Sequence, residues 1–252
     1  MFDNVGLPIQ KNCAVAFIDL LGVTQKIEKD SQWALDWVWL FYASITQEIK
    51  KYGNVKFKIF SDNILICEEI DKNNPKQAVL EILNILDKVE ELMFKAKALF
   101  IRGAVVVDDL HFSDNFVYGK ALVRAYRLEN KVALYPRVII DKSALDLIKD
   151  ERVPVVQDKD GQYFYDYIQF CIKEQKDDWL QKIRTFKFNI LLNIRGNLDE
   201  MAVLNKMEWA VNYYNDNCIR HKLKYLITDE DLKQCGVSIS NIHLIAKTNS
   251  SM

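Results

Sequence analysis

Alternation of hydrophobic and polar positions predicts short strands and amphipathic helices along the first part of the chain. Residues 13 to 19, CAVAFID, form an apolar run that is typical of a buried strand and that ends in an acidic residue. Large apolar residues then recur at helical spacing over residues 31 to 51. Residues 55 to 60 and 64 to 68 flank the turn residues 61 to 63, so this segment predicts a β-hairpin.

The next segments alternate between helix and strand. Asn74 and Pro75 are typical of a helix start, and the helix carries one apolar stripe. A strand over residues 100 to 107, a helix from Tyr118-Gly119 to about Val132 and a strand over residues 136 to 141 follow. The order β-α-β-β-α-β is the connectivity of a ferredoxin-like sheet, so we predict an α+β fold.

The remaining pattern predicts additions to that core. A short helix over residues 142 to 149 precedes two strands, 153 to 157 and 162 to 167, around a Lys-Asp-Gly turn. Only helical patterns follow, over residues 179 to 194 and 199 to 221. We therefore predict one domain over residues 1–172 and a C-terminal helical appendage, residues 173–252, packed on it.

Composition, net charge and cysteine pattern indicate which classes of binding partner and which cellular compartment to expect. Charged residues make up 27 % of the 252 residues and the formal net charge is -1, so no overall charge favours nucleic acid or an anionic membrane. The five cysteines are scattered and none forms a C-x-x-C pair, which favours a reducing cytoplasm over a disulfide framework or a zinc site. No apolar run is long enough to predict a membrane span.

Two acidic residues are candidate metal ligands. Asp19 ends the first apolar strand and Asp62 lies at the tip of the next hairpin. In a β-α-β-β arrangement these two places are neighbours in one sheet, and two carboxylates brought together repel unless a cation lies between them. Mg²⁺ and Mn²⁺ prefer such oxygen ligands. The alternative interpretation is two ordinary turn residues, because Asp is common in tight turns.

The residues after Asp19 add a second candidate feature. Leu20, Leu21, Gly22 and Val23 enter a helix, and backbone N–H groups at such a place bind phosphate oxygens. An ordinary strand-to-helix turn would have the same sequence features.

Four segments, in order, resemble the motifs of class III adenylate and guanylate cyclases. They are FIDLLGVT at 17 to 24, KIFSDN at 58 to 63, FIRGAVVVDD at 100 to 109 and VYGKALVRAYRLE at 117 to 129. Some segments are closer to one branch of the family, the pyrimidine cyclases of bacterial anti-phage signalling systems. The sequences that resemble this branch are RGAV, YGKALVRAYRLE, YPRVIID and, at 204 to 216, LNKMEWAVNYYND. The resemblance implies a class III cyclase fold with an added α-β element, a hairpin and C-terminal helices.

The resemblance also implies an activity. UTP or CTP would be converted to the 3′,5′-cyclic monophosphate with release of pyrophosphate, and a separate cyclic-nucleotide effector would read the product in anti-phage defence. Two Mg²⁺ or Mn²⁺ ions per site are implied, on Asp19 and Asp62 with Leu20 as a further ligand. A cytoplasmic homodimer with two shared active sites is implied as well.

The same resemblance assigns further site residues. Arg127 takes the place of the arginine that stabilises the transition state, and Arg124 and Arg137 are alternatives. The ordinary interpretation of Arg127 and Arg124 is that they are solvated arginines on the polar face of a helix. Lys58 stands where purine cyclases contact the base, and an edge-strand surface lysine is equally compatible with the pattern.

Two positions depart from the purine cyclases. Phe116 stands where those enzymes place the carboxylate that reads adenine, and a phenyl ring accepts no hydrogen bond from an amino group. Val123 replaces their ribose-orienting or triphosphate-orienting Asn. These departures keep open a catalytically inactive cyclase-like nucleotide sensor or scaffold. A palm-type cyclic-dinucleotide synthase lacks support because its Gly-Gly-Asp-Glu-Phe signature is absent, and a purely structural interaction protein is the last alternative.

Overall fold

The structure is a computed structural model that describes residues 1–95, 100–173 and 178–237. The chain divides into two compact units, one formed by residues 1–92 and 100–166 and the other formed mainly by residues from Tyr167 onward. The first unit carries all the strands that the structure describes. Every residue to which the sequence gives a chemical role lies in this first unit, so its sheet is the frame of the candidate site.

The first half of the N-terminal unit follows the predicted β-α-β-β order. It consists of β1 (Lys11–Leu21), α1 (Val23–Lys29), α2 (Ser31–Ile49), β2 (Lys56–Phe60), β3 (Asn63–Glu69) and α3 (Pro75–Lys95). The predicted helix over residues 31 to 51 and the hairpin around residues 61 to 63 are confirmed. The helix entry predicted after Leu20 and Leu21 is confirmed by α1, which begins at Val23, although the sequence pattern gave no end for this seven-residue helix.

The second half continues the sheet. Its elements are β4 (Phe100–Phe112), β5 (Val117–Tyr118), α4 (Lys120–Lys131), β6 (Val138–Ile140), α5 (Lys142–Ile148), β7 (Val155–Gln157) and β8 (Tyr163–Tyr165). Strand β4 is longer than the predicted 100 to 107, because it extends to pair with β5 through His111 and Phe112.

The strands of this unit form a single sheet in the order β2-β3-β1-β4-β6-β8-β7, with β5 attached to β4. Strand β1 lies between β3 and β4 and is antiparallel to both, whereas β4 and β6 are parallel. The four-strand part β2-β3-β1-β4 confirms the ferredoxin-like connectivity predicted from the pattern.

The core explains why β1 is apolar along most of its length. Residues Cys13 to Ile18 are at most 7 % exposed, because the strand is central in the sheet and covered on both faces. Gly103 on β4 permits close approach there, since a Cβ atom at that position would lie 2.4 Å from the carbonyl oxygen of Phe17. This close packing fixes β4 against the end of β1 that carries Asp19.

The second unit is helical where it is described. It contains α6 (Tyr167–Lys173), α7 (Trp179–Gly196), α8 (Met201–Arg220) and α9 (Asp229–Gln234). Helices α7 and α8 confirm the two predicted helices, and α9 begins with a capping box between Thr228 and Asp231 that the sequence reasoning missed. Among the described helices, none combines the length and the apolar character that crossing a bilayer requires.

Candidate active site at the end of the central strands

The backbone brings the ends of β1 and of the β2–β3 hairpin together. Asp19 stands opposite Asn63 in the β1–β3 register, one residue from the hairpin tip. The N–H of Leu20 donates a hydrogen bond to the carbonyl oxygen of Asp62 at 3.1 Å. Ser61 turns the hairpin with a positive φ of 59°, so the tip is tight. Asp19, at the end of β1, and Asp62, in the turn before β3, therefore lie at the same end of the sheet.

The two carboxylates differ in their surroundings. Asp19 is only 9 % exposed, and its Oδ2 accepts a hydrogen bond from Nε of Arg102 at 2.8 Å. Asp62 is half-buried, and its Oδ1 accepts a longer hydrogen bond from the side chain of Asn63. One acid is thus held by a fixed cation, whereas the other lies at the tip of a turn.

Arg102 is a residue that the sequence reasoning missed. It lies on β4 directly opposite Asp19, and its Nη2 forms an ion pair of 2.8 Å with Oε1 of Glu129 on α4. Glu129 is 3 % exposed and shares the buried face of α4 with Ala121 and Ala125, each four residues apart. Two sequence signals could have identified this pair: an arginine inside an apolar strand and a glutamate on the apolar face of a helix.

The loop after β1 makes a sharp turn. Gly22 has φ of 88°, a left-handed conformation that favours glycine, and Val23 begins α1. Leu20 and Val23 are each 3 % exposed, while Gly22 is exposed. The N–H of Leu20 is already bonded to the carbonyl oxygen of Asp62, so this N–H is not available to a phosphate oxygen.

The structure separates the three candidate arginines. Arg137 is completely buried and is bound to Asp158 and Asp160 in the turn between β7 and β8. Arg124 is half-buried and its Nη2 forms an ion pair of 2.8 Å with Asp141, which caps α5.

Arg127 differs from both. Its side chain is exposed on α4, and it makes no ion pair with any residue in the described part of the chain. Together with Tyr118, Val123 and Arg124 it lines an open cavity of about 770 Å³ beside the start of α4. Of these three arginines, Arg127 is therefore the one best placed to meet a group from outside its own chain.

Lys58 and Phe116 both lie against the turn between β4 and β5. Nζ of Lys58 donates a hydrogen bond to the carbonyl oxygen of Asp114 at 2.7 Å and lies 5.5 Å from the ring centroid of Phe112. Phe116 is 47 % exposed, and its ring stacks on His111 with a centroid distance of 4.7 Å. The structure thus brings these two predicted base-contacting residues to one region.

The donor set at the end of the sheet limits what can bind there. The residues that the structure describes contain no group of three or more His, Cys, Asp or Glu side chains arranged to hold a metal ion. Asp19 on β1 and Asp62 in the adjacent hairpin turn supply hard oxygen ligands but leave most of a six-coordinate shell to come from elsewhere. This arrangement fits a Mg²⁺ or Mn²⁺ ion that is completed by phosphate oxygens and water.

Solved structures share this architecture. The adenylyl cyclase CyaB from P. aeruginosa is 19 % identical, with a TM-score of 0.51 over 62 % of this chain and 93 % of that chain. The monomeric guanylyl cyclase domain of the RhoGC fusion protein from the aquatic fungus Blastocladiella emersonii is 18 % identical, with a TM-score of 0.51 over 62 % of this chain and 95 % of that chain. The chain has a class III cyclase fold.

The comparisons by sequence give no match. None of the family models matches the chain, and neither does any curated protein. The identity to these two solved cyclases is below 20 %, so the likeness establishes the fold alone.

Proposed function

We propose that the protein is a pyrimidine nucleotide cyclase that converts UTP or CTP to the 3′,5′-cyclic monophosphate and pyrophosphate. The observation that carries this proposal is the placement of Asp19 and Asp62 at one end of the sheet of a class III cyclase fold. Two carboxylates at one end of the sheet supply the hard oxygen ligands that Mg²⁺ and Mn²⁺ prefer, which a binding protein without metal chemistry does not require.

Asp19 and Asp62, with Leu20, are the residues that would hold Mg²⁺ or Mn²⁺, two ions per site. When bound, the metal would lower the pKa of the substrate 3′-hydroxyl and neutralise part of the phosphate charge. Asp19 is held in one orientation by Arg102. Leu21, Gly22 and Val23 present backbone at the turn after β1, where the triphosphate would lie.

In the reaction a bond forms between the 3′-oxygen and the α-phosphorus, and the bond from that phosphorus to the bridging oxygen of pyrophosphate breaks. The hydroxyl proton is lost to solvent. Negative charge grows on the α-phosphate and the bridging oxygen, and a guanidinium placed there stabilises it. Arg127 has this role in the proposal, because it is exposed while Arg124 and Arg137 are bound to carboxylates of their own chain.

Two subunits are needed to complete the site. Asp19 and Asp62 lie at the strand ends, whereas Arg127 faces outward on α4 beside the cavity that starts at Tyr118. A symmetric homodimer brings the acids of one subunit to the arginine of the other and gives two equivalent sites. Three exposed apolar residues, Phe60 on β2 and Val123 and Tyr126 on α4, are surface that a second subunit would cover.

The choice of a pyrimidine rests on Phe116 and Lys58. An adenine amino group against the Phe116 ring would lack an acceptor, and an unpaired buried polar group costs about 1–3 kcal/mol. Lys58 is anchored to the β4–β5 turn at Asp114, within reach of the Phe112 ring. A single-ring base held by stacking and by one or two hydrogen bonds avoids this cost.

The signalling role in the proposal comes from resemblance alone. The segments RGAV, YGKALVRAYRLE and YPRVIID are similar to those of cyclases in bacterial anti-phage systems. In that role the cyclic product is a message for a separate effector, and the helices from residue 173 onward are an appendage to the catalytic domain.

The proposal is tested by incubating the purified chain with Mn²⁺ and each of the four nucleoside triphosphates and identifying products by mass spectrometry. Cyclic UMP or cyclic CMP should form roughly 5- to 150-fold faster than cyclic AMP or cyclic GMP. An Asp62→Ala chain serves as the inactive control. Tight nucleotide binding with no cyclic product from any substrate would instead favour the inactive sensor, for which Val123 is the motivating residue.

A further inference from the structure

Arg102 connects two elements that carry different halves of the proposed site. Its Nε donates to Asp19 on β1 at 2.8 Å, and its Nη2 pairs with Glu129 on α4 at 2.8 Å. The Arg102 side chain is 21 % exposed, and the Glu129 side chain is 4 % exposed. The planar guanidinium thus forms a bridge between two carboxylates, a geometry that lysine does not reproduce.

The bridge has consequences for charge at Asp19. A cation beside a carboxylate reduces the attraction of that carboxylate for a metal ion, because the two positive charges compete for the same oxygen atoms. The buried carboxylate of Glu129 on the far side offsets part of the Arg102 charge. The cluster of Asp19, Arg102 and Glu129 carries one net negative charge.

The bridge also fixes geometry. Glu129 lies two residues after Arg127 on α4, and it is buried where Arg127 is exposed. Arg102 therefore ties the helix that carries Arg127 to the strand that ends in Asp19. A second ion pair from α4, between Arg124 and Asp108 on β4, is longer at 3.9 Å and does not reach β1.

We infer that Arg102 is a positioning residue for Asp19, and that Glu129 keeps Arg102 from competing with the metal. This inference rests on the proposed function, since it assigns Asp19 to metal binding. Removing the Glu129 charge leaves the full charge of Arg102 on Asp19, so metal affinity should fall although Glu129 itself is not a ligand.

The test measures Mn²⁺ binding in the absence of nucleotide, from the electron paramagnetic resonance signal of free Mn²⁺ in a titration of the full chain. Glu129→Gln is the main variant, because the amide oxygen still accepts from Arg102 and only the charge is lost. Its dissociation constant for Mn²⁺ should rise about 5-fold, the size expected for one partly screened charge at this range.

Glu69→Gln is the matched control. Glu69 lies on the same sheet and pairs with Lys11 at the opposite end of β1, with a distance of 2.7 Å, so the variant makes the same charge change far from Asp19 along the strand. It should bind Mn²⁺ as the unmodified chain does.

Arg102→Lys separates positioning from charge and also covers the case in which Glu129→Gln fails to fold. Lysine keeps the charge but contacts the two carboxylates less rigidly. Mn²⁺ affinity should stay within about 2-fold while kcat falls about 10-fold at unchanged KM, within the range for groups that orient metal ligands.

The outcomes are distinct. Normal Mn²⁺ affinity in Glu129→Gln, or full kcat in Arg102→Lys, overturns this inference alone. An unmodified chain that takes up no Mn²⁺ overturns the inference and the proposed metal site together.

Discussion

Arg102 and Arg137 each bind two carboxylates, yet the two arginines occupy opposite kinds of environment. Arg137 is fully buried, and both of its acidic partners, Asp158 and Asp160, belong to one turn between β7 and β8. Arg102 is partly exposed, and its partners come from a strand end and a helix that are distant in sequence.

The difference separates a structural ion cluster from a candidate functional one. A buried arginine whose two carboxylate partners lie in one hairpin turn holds that turn in place, and the hydrogen bond from Arg137 holds the pKa of Asp160 below its usual value. Arg102, in contrast, fixes the orientation of Asp19, which lies beside Asp62 in the candidate active site. Substitutions in the first cluster should therefore change stability, whereas substitutions around the second should change turnover.

The largest expected effect is on stability at Arg137. Arg137→Met leaves Asp158 without its buried partner and should lower the free energy of unfolding by about 3 kcal/mol, because one half of a buried ion pair is removed. The midpoint of thermal unfolding, followed by circular dichroism, should fall by about 6–12 °C. Arg124→Met is the control. Its more exposed pair with Asp141 should cost under about 1 kcal/mol. An unchanged unfolding midpoint in Arg137→Met would contradict the structural role of the Arg137 cluster.

The second effect is on turnover at Asp62. Asp62→Asn keeps the shape of the turn but loses a metal ligand, and we expect kcat to fall about 100- to 1,000-fold with little change in the unfolding midpoint. Asp160→Asn is the matched control, since both residues are aspartates in hairpin turns. It should retain turnover in the folded protein. Equal loss in the two variants would contradict the assignment of Asp62.

The third effect distinguishes Arg127 from the two arginines with partners in their own chain. Arg127→Ala should lower kcat about 100-fold, the cost of removing one group that meets transition-state charge. Mixing Arg127→Ala chains with Asp62→Asn chains should then restore up to about one quarter of normal activity, because half of the dimers regain one intact site. Mass spectrometry confirms that mixed dimers form. Mixed dimers without recovered activity would exclude a site shared between subunits.

Local sequence signals predicted the acidic end of the sheet. Period-2 alternation, the turn residues around Asp62 and the apolar run that ends at Asp19 are all contained in short segments. Strand order then follows from connectivity rules, which place the β2–β3 turn with Asp62 beside the end of β1 with Asp19. Short-range patterns therefore suffice to predict this part of the candidate site.

Long-range contacts could not be predicted in the same way. Arg102 meets Asp19 across 83 positions of sequence, and this depends on the register of β1 against β4. The choice among the arginines depended on Asp141 and on the β7–β8 turn, whose acids bind Arg124 and Arg137. A motif supplies an arginine at a given spacing, but only tertiary structure shows which arginines already have partners.

The smallest predicted effect concerns the neighbouring carboxyl groups of Glu68 and Glu81. Glu68 on β3 is 6 % exposed, and burial together with a hydrogen bond and repulsion from Glu81 raises its pKa to about 7. In the unfolded chain the pKa returns to its usual value near 4.5. The folded state therefore binds this proton more tightly, and stability falls as pH rises from about 4.5 to about 7.

Glu68→Gln removes this penalty because the amide never ionises. The variant should be more stable than the unmodified chain by roughly 1 kcal/mol at pH 8 and equal to it at pH 4, as measured by urea unfolding at each pH. Glu69→Gln, next to it on β3 but exposed and paired with Lys11, should change stability by less than about 0.5 kcal/mol at pH 8. If Glu68→Gln gains nothing at pH 8, the carboxyl is already stabilised as an anion. Burial next to Glu81 would then not suffice to raise the pKa of Glu68.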